Sequence, residues 1–598
     1  MYAEALRWSE QLTEGNHMKN ARWIITGLMS TLLSLPVFAD ETKDHTITVF
    51  TARKIITMDP GWPEATVVAV RDGKILSVGS SMDDLKPWLN KIPYKVDNTF
   101  QNKILTPGFI EPHGHPLLGG IALSRPELTY LPQPNPYGPG FPGVKTKADA
   151  MTMLKSYVDK QPAGKPLIAW GYDVVAMGSP LNAAELDKVS ASLPIIVWDT
   201  SGHMAFTNTA ALKKFNVTVS DNKIPGIKFD KNNQPNGQFY GVPAVVFILK
   251  KALLGELTPD EAYKCIKFLM DLSHKNGITS TTEMTFGIIN FQLEQALYNR
   301  YFNNPNTPMR LIAITYAESA THEKQNNAVA FVKSFENQAT DKFMFNGVKF
   351  FSDDAFVSLN MVIENPGYTD GHQGQYIIPP DQLVAAMTPW WDAGFHIHVH
   401  SNGNGGNAST INALYQLMQH KPRFDHRFSV EHYGISTPAM ARELKQLGGV
   451  VSANPNYFYA RAELNEPFLG TDRADTAAAF NTLLKAGVPT SMHSDTPVAP
   501  PEPLKEVWMV VNRFGVSGKV HAPAERVSVE QALRMITIDA AYTIGEDTKI
   551  GSISPGKFAD FTVLEADPFA VPKENIKDIQ IWGTVVGGKV YAASDYSD

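Results

Sequence analysis

The sequence predicts an α/β protein: a distorted (β/α)8 barrel, a composite β-sandwich built from both chain ends, and a large insertion after the first barrel strand. Three observations carry this. Eight short apolar runs are spread through the middle of the chain: GFIEPH, GITSTTEMT, RLIAITYAE, NGVKFFSDD, GFHIHVHSNG, RFSVEHYG, GVVSANPNY and GVPTSMHSD. Helix-period segments such as TINALYQLMQH and TPAMARELKQLG lie between many of them. Apolar strands alternating with helices are the pattern of a parallel sheet covered on its faces. The two ends read differently, as alternating strands with turn punctuation: ATVVAVRDGKILSVGS near the start, GSISPGKFADFTVLEADPF and IQIWGTVVGGKVYAAS near the end. The Asp72-Gly73 pair is a hairpin signal.

The expected divisions are a signal and extension over 1–39, sandwich parts over 40–106 and 541–598, and the barrel over 107–540. Residues 118–276 separate the first two barrel strands, too long for one crossover. They read as an inserted α+β unit or a set of large loops over the barrel mouth, which would set substrate choice. From Met18, Lys19 and Arg22 precede a short apolar stretch, WIITGLMSTLLSL, and Val37-Phe38-Ala39 form a small-residue cleavage site before Asp40. That is an export signal with cleavage after Ala39, shorter than the roughly 20 residues of a membrane span. The expected location is periplasmic or secreted, without stable membrane insertion. Residues 1–17 precede the natural start of such a signal. A net charge of -7 with no basic run argues against nucleic acid. The single Cys265 allows no internal disulfide and sits in a helix-like pattern as a structural thiol.

The strand ends of a barrel face its active mouth. Taken in order, they offer His113 and His115, then Lys349, His400, His432 and Asp495. Residues i and i+2 on a strand share a face, so His113 and His115 point together at one ion. His400, His432 and Asp495 converge on the same axis from other strands. His396 and His398 lie deeper on the His400 face and read as core histidines. His493 shares the Asp495 face and suits a supporting role behind the ligands. Glu283 closes the second strand and points toward the site or into an ion pair.

The ordered set His-Gly-His after TPGFIEP, then VK, HVHSNGN, EHYG and HSDTPV, resembles the metal-dependent amidohydrolase superfamily, in its amidohydrolase-3 branch. That branch includes formamide deformylase-like hydrolases and exoenzyme regulatory proteins. The resemblance runs from about residue 46 to 595. It implies one or two divalent ions, usually zinc, with His113, His115 and Asp495 on the first and His400 and His432 on the second. It also implies a carbamylated Lys349 if the centre is dinuclear, because a carbamate is an anion able to bridge while an ammonium cannot ligate. The alternative for Lys349 is a plain lysine paired with Asp353 or Asp354 beside a single metal. A bound divalent ion lowers the pKa of water from about 15.7 to about 7, and Asp495 is placed as general base and then acid. His203, in DTSGHMAFTN, would hydrogen-bond substrate or an oxyanion. Asp173, Tyr172, Trp170, Asn456 and Tyr457 are candidates for a substrate pocket, with packing or turn roles as the alternative. Two positions depart from the family pattern: Asp353-Asp354 stands where Asp-Gly is usual, and Asn404 where Asp is common.

The expected activity is hydrolysis of a carbon–nitrogen bond in a small amide, formamide or cyclic amide. An ester hydrolase on the same centre is the nearest alternative. A binding or regulatory protein on a hydrolase scaffold is another, and histidines that merely fill a barrel core a third. The oligomeric state is not legible in the sequence.

Overall fold

The computed structural model describes residues 45–162 and 164–596; the expected signal segment lies outside them. Strands β1 (Ile47–Ile56), β2 (Glu64–Arg71), β3 (Lys74–Gly79) and β4 (Tyr94–Pro107) lead into β5 (Phe109–Glu111). An inserted set follows: β6 (Leu167–Tyr172), β7 (Ile195–Asp199), β8 (Met204–Thr207), β9 (Ile227–Phe229) and β10 (Pro235–Tyr240). Then come β11 (Ile278–Phe286), β12 (Arg310–Tyr316), β13 (Phe343–Phe351), β14 (Ile397–Ser401), β15 (Ser429–His432), β16 (Val450–Ala453) and β17 (Thr490–Met492). The chain closes with β18 (Phe561–Leu564), β19 (Ile581–Val586) and β20 (Lys589–Ala592).

β5 and β11–β17 pair in sequence order as an eight-stranded sheet, every adjacent pair parallel. This is the predicted barrel, and its strands coincide with the eight apolar runs. The ladder stops between β17 and β5 among the described residues. Side chains bridge that seam: the buried Glu111 carboxylate accepts from Ser494 N at 3.2 Å and Ser494 Oγ at 2.5 Å. The helices follow their capping grammar. Pro438–Leu447 starts on Thr437, whose hydroxyl accepts from Met440 N, and ends on Gly448 at φ +77°. Pro259–Lys275 starts with a Thr258/Glu261 capping box and buries Cys265 on its core face.

The insertion is a unit with its own sheet, in the order β6-β7-β8-β10-β9, and its own apolar core around Leu128, Tyr172, Ile195 and Phe206. The chain ends meet in one continuous seven-stranded sheet, β20-β19-β18-β4-β1-β2-β3, with Phe50, Phe100 and Phe561 in the main core on one side. No helix of the described residues is long and apolar enough to cross a membrane.

One buried ion pair ties that sheet to the barrel. Arg310, on β12, donates to Asp560 from Nε at 2.6 Å and Nη2 at 2.9 Å, and its guanidinium lies 3.8 Å from the Phe558 ring centre. Asp560 also accepts from Gly587 N. Removing one partner strands a buried charge. Asp560→Ala is expected to cost about 3–5 kcal/mol, read as a lower urea midpoint by circular dichroism.

Candidate metal centre

Strand register decides which side chains face inward. Parallel neighbours in register share a face, and Lys349 pairs with His398, then His400 with Glu431, and Glu431 with Ser452. Lys349, His398, His400, Glu431 and Ser452 therefore line the interior, where apolar branched residues are the rule. By the same alternation His432 should point outward, opposite to Glu431. It does not, because its backbone turns into the left-handed region at φ +77°, followed by Tyr433 at +47°. Asp495 sits at φ +59° just past β17. Such conformations in non-glycine residues cost of order 1–3 kcal/mol and cluster at functional sites. Here they bring His432 and Asp495 to the mouth.

The six expected ligand residues come together. His115 Nε2 lies 3.4 Å from Asp495 Oδ1, His113 Nε2 3.7 Å from the same oxygen, and His432 Nδ1 3.8 Å from Asp495 Oδ2. Lys349 Nζ is 3.2 Å from His113 Nε2. The His400 and His432 ring centres are 4.5 Å apart, as are those of His113 and His432. All line one cleft of about 740 Å³, with His203 and the apolar side chains of Trp170, Trp198, Val245, Leu249 and Ile289.

Hydrogen bonds fix which ring nitrogen each histidine offers. His113 donates Nδ1–H to Glu431 at 2.7 Å, leaving Nε2 toward the cleft. His115 Nδ1 lies 3.3 Å from the Glu283 carboxylate and 3.2 Å from Thr285 Oγ1, again leaving Nε2. His432 Nδ1 meets His493 Nε2 at 3.1 Å, and its Nε2 is buried with no partner among the described residues. The Asn402 amide nitrogen lies 2.9 Å from His400 Nε2. Carboxylate-backed imidazoles around an orphaned buried nitrogen are the build of a metal site. Nitrogen and oxygen donors without a thiolate suit a divalent first-row ion.

Two overlapping triads hold their donor atoms within 4.8 Å of one another: His113, His115, Asp495 and His113, His432, His493. The first is the stronger cradle, because His493 spends both nitrogens on protein: Nδ1 on Ser452 Oγ at 2.7 Å and Nε2 on His432.

Burial sets the charge states. It holds the His113, His400 and His432 imidazoles well below the usual histidine pKa, helped by neighbouring positive groups including Lys349. Those rings are neutral, the form that ligates. Burial lowers the Lys349 ammonium to about 8 against the pull of Glu431 and Asp495. Burial also lowers His115, but hydrogen bonds and attraction from Asp495 and Glu283 outweigh it and push the ring up to about 9. In the metal-free protein His115 therefore carries a proton that a cation must displace.

Residues 101–592 match the profile of the amidohydrolase family. The chain belongs to that family. It is a metal-dependent amidohydrolase, of the enzyme class that acts on carbon–nitrogen bonds other than peptide bonds. Protein LONG AFTER FAR-RED 3 of Arabidopsis thaliana is 26% identical over 94% of this chain and 93% of its own. N-substituted formamide deformylase of Arthrobacter pascens is 22% identical over 81% and 88%. The crystal structure of an uncharacterized metal-dependent hydrolase from Pyrococcus horikoshii OT3 shares the fold, with a TM-score of 0.67 at 18% identity over 88% of this chain and 99% of that one.

In this amidohydrolase the other predicted residues divide. His203 and Trp170 line the metal cleft. Asp173, Asn456 and Tyr457 line a neighbouring cavity of about 1090 Å³ that shares Val498 with it. Asp173 is held there by a buried ion pair with Arg461. Tyr172 lines neither. It is fully buried in the core of the inserted sheet and donates its hydroxyl to Ser179 O at 2.8 Å. The alternation along β6 turns it from the face that Trp170 shares with the cleft, because Gly171 at φ +92° breaks the i, i+2 rule. Asp353 is not a partner of Lys349: its carboxylate accepts the N–H groups of Val362, Asn402 and Gly403 at 2.8–2.9 Å. Gly406 permits this, since a Cβ there would lie 2.3 Å from Asp353 Cγ. Asp354 instead bonds His203. Asn404 accepts from Glu364 N and lies on the helix that follows β14.

Glu431 is the residue sequence reasoning missed. It bridges His113 Nδ1 at 2.7 Å and His398 Nδ1 at 2.8 Å. The signal was present in EHYG, where an acidic residue stands inside an apolar strand next to a ligand histidine.

Glu431→Gln is expected to weaken metal binding about 10–100-fold, measured by chelator competition. Below pH 9 the proton on His115 competes with the cation. Apparent affinity should therefore rise by up to about tenfold per pH unit as pH increases toward 9, where a site of carboxylates alone would show no dependence.

Proposed function

We propose that this amidohydrolase is an exported zinc enzyme that hydrolyses small amides or formamides bearing an apolar substituent on nitrogen. The observation that carries the reading is the cleft itself. Its floor is the six-residue donor set and its walls are aromatic and aliphatic, contributed largely by the insertion and the helix Gly241–Glu256. A polar scissile group at the floor and an apolar remainder against the walls fit that division. The name of the formamide deformylase relative agrees with it.

When bound, the divalent ion would acidify water and polarise the carbonyl. The chain's own residues do the rest. Asp495 is 9% exposed and stands between the imidazoles and the cleft, where its carboxylate takes a proton from the attacking water and returns it to the leaving nitrogen. His203 lines the same cleft and offers a ring nitrogen to the substrate oxygen. Glu431 and Glu283 hold the His113 and His115 rings in one tautomer. Lys349 is 1% exposed and its amine is made easier to deprotonate by burial; the neutral amine is the form that adds carbon dioxide. As a carbamate, Lys349 would be an anion able to help hold the divalent metal.

The zinc-loaded chain is expected to cleave formanilide, and the chelated chain to be inert. Asp495→Asn should lower kcat by about 10²–10⁴-fold while bound substrate analogues are retained. Zinc bound with no turnover of any amide would sink the reading. Trp198→Ala should raise KM for formanilide while leaving unsubstituted formamide nearly unchanged, since only the former reaches that wall. Native mass spectrometry should find one carbon dioxide adduct per chain, absent in Lys349→Ala.

A further inference from the structure

We propose that Asp354 is a positioning residue that fixes His203 at the cleft and makes it competent toward substrate; this rests on the amide-hydrolase reading above. His203 belongs to the insertion, on the turn between β7 and β8, whereas Asp354 follows β13 in the barrel. The His203 Nδ1–H donates to Asp354 Oδ1. Asp354 is fully buried and is met on Oδ1 by Ala355 N at 2.8 Å, and on Oδ2 by Asn360 Nδ2 at 2.5 Å and Gln375 Nε2 at 2.6 Å. Its position is therefore set by three donors on its own side, and its remaining acceptor capacity goes to the histidine.

The partner ring is set as tightly. It stacks on His400 with centres 4.9 Å apart and planes inclined by 25°. Its backbone is held at both ends, by Ser201 Oγ accepting from His203 N and by Gly241 N donating to His203 O. With Nδ1 engaged, Nε2 is the atom left for a ligand, and the side chain is 12% exposed on a cleft whose floor is the donor set. A carboxylate on one imidazole nitrogen fixes the orientation and tautomer of the other. The insertion thus delivers a polar group to a barrel site, and the barrel supplies the residue that aims it.

The test uses the zinc-loaded chain lacking residues 1–39, with formanilide as probe. Asp354→Leu should lower kcat about 10²-fold and move KM by less than about threefold, with zinc content unchanged. Asp354→Asn keeps an acceptor oxygen toward His203 and can be met by turned amides at Asn360 and Gln375, so it should lose only about tenfold. The H203A/D354L double variant should be no slower than H203A alone, because two residues acting as one unit are not additive. Multiplicative losses would overturn the proposal. Crystal structures decide it without turnover: the His203 ring should leave its place on His400 in the Asp354→Leu variant, and an unmoved ring would refute the assignment. If the parent enzyme cleaves no amide, the functional reading fails while this structural comparison still answers for Asp354.

Discussion

The Glu431 carboxylate is the constraint on which the centre depends. It is a charge without solvent, flanked by His113 and His398. Burying an ionised carboxylate is expensive unless it is paired and hydrogen-bonded. Burial pushes its carboxyl up, but the His398 hydrogen bond and attraction from His398 and Lys349 outweigh that and hold it below the usual carboxylate value. The barrel interior at this level thus gathers Glu431, Lys349, six imidazoles and, near the mouth, Asp495. Such a polar interior is costly as mere packing. Around a divalent ion the same groups form a satisfied shell.

The fold was legible because its signals are periodic. Eight apolar runs gave eight strands, and the hairpin grammar of the chain ends gave one shared sheet. The insertion was legible as an α+β unit or a set of large loops; the order of its mixed sheet and its separate core are set by contacts that no local pattern announces. At the site, His113 and His115 come together although β5 ends at Glu111 and the i, i+2 rule does not reach them; the ordered motifs named the rest. The rule failed where the backbone departs from a strand. His432 reaches the cleft through a left-handed residue, and Tyr172 is turned into the core beside Gly171. Glu431 was not legible because strand alternation puts it on the face opposite His432, and only the left-handed turn at His432 brings both to the site.

The insertion and barrel are joined at the mouth by pairs of charged or polar side chains. Asp173 pairs with Arg461, which also donates to Val357 O at 2.7 Å. Both acidic partners, Asp173 and Asp354, are almost wholly buried, so neither link is a weak surface ion pair of the kind worth under about 1 kcal/mol. The apolar walls contributed by the insertion are held against the donor set by these links, so the chemistry at the floor and the shape above it cannot vary independently.

The barrel's open seam has a consequence for assembly. Glu111 and Ser494, which close it, are 383 positions apart in the chain. His113 and His115 follow one edge strand and Asp495 the other, so a cation shared by them would act as a rivet across the gap. The histidines at the start of the barrel must wait for the last strand to arrive before they can close around an ion. A cation at that triad would therefore be enclosed last, once Asp495 has joined the two histidines.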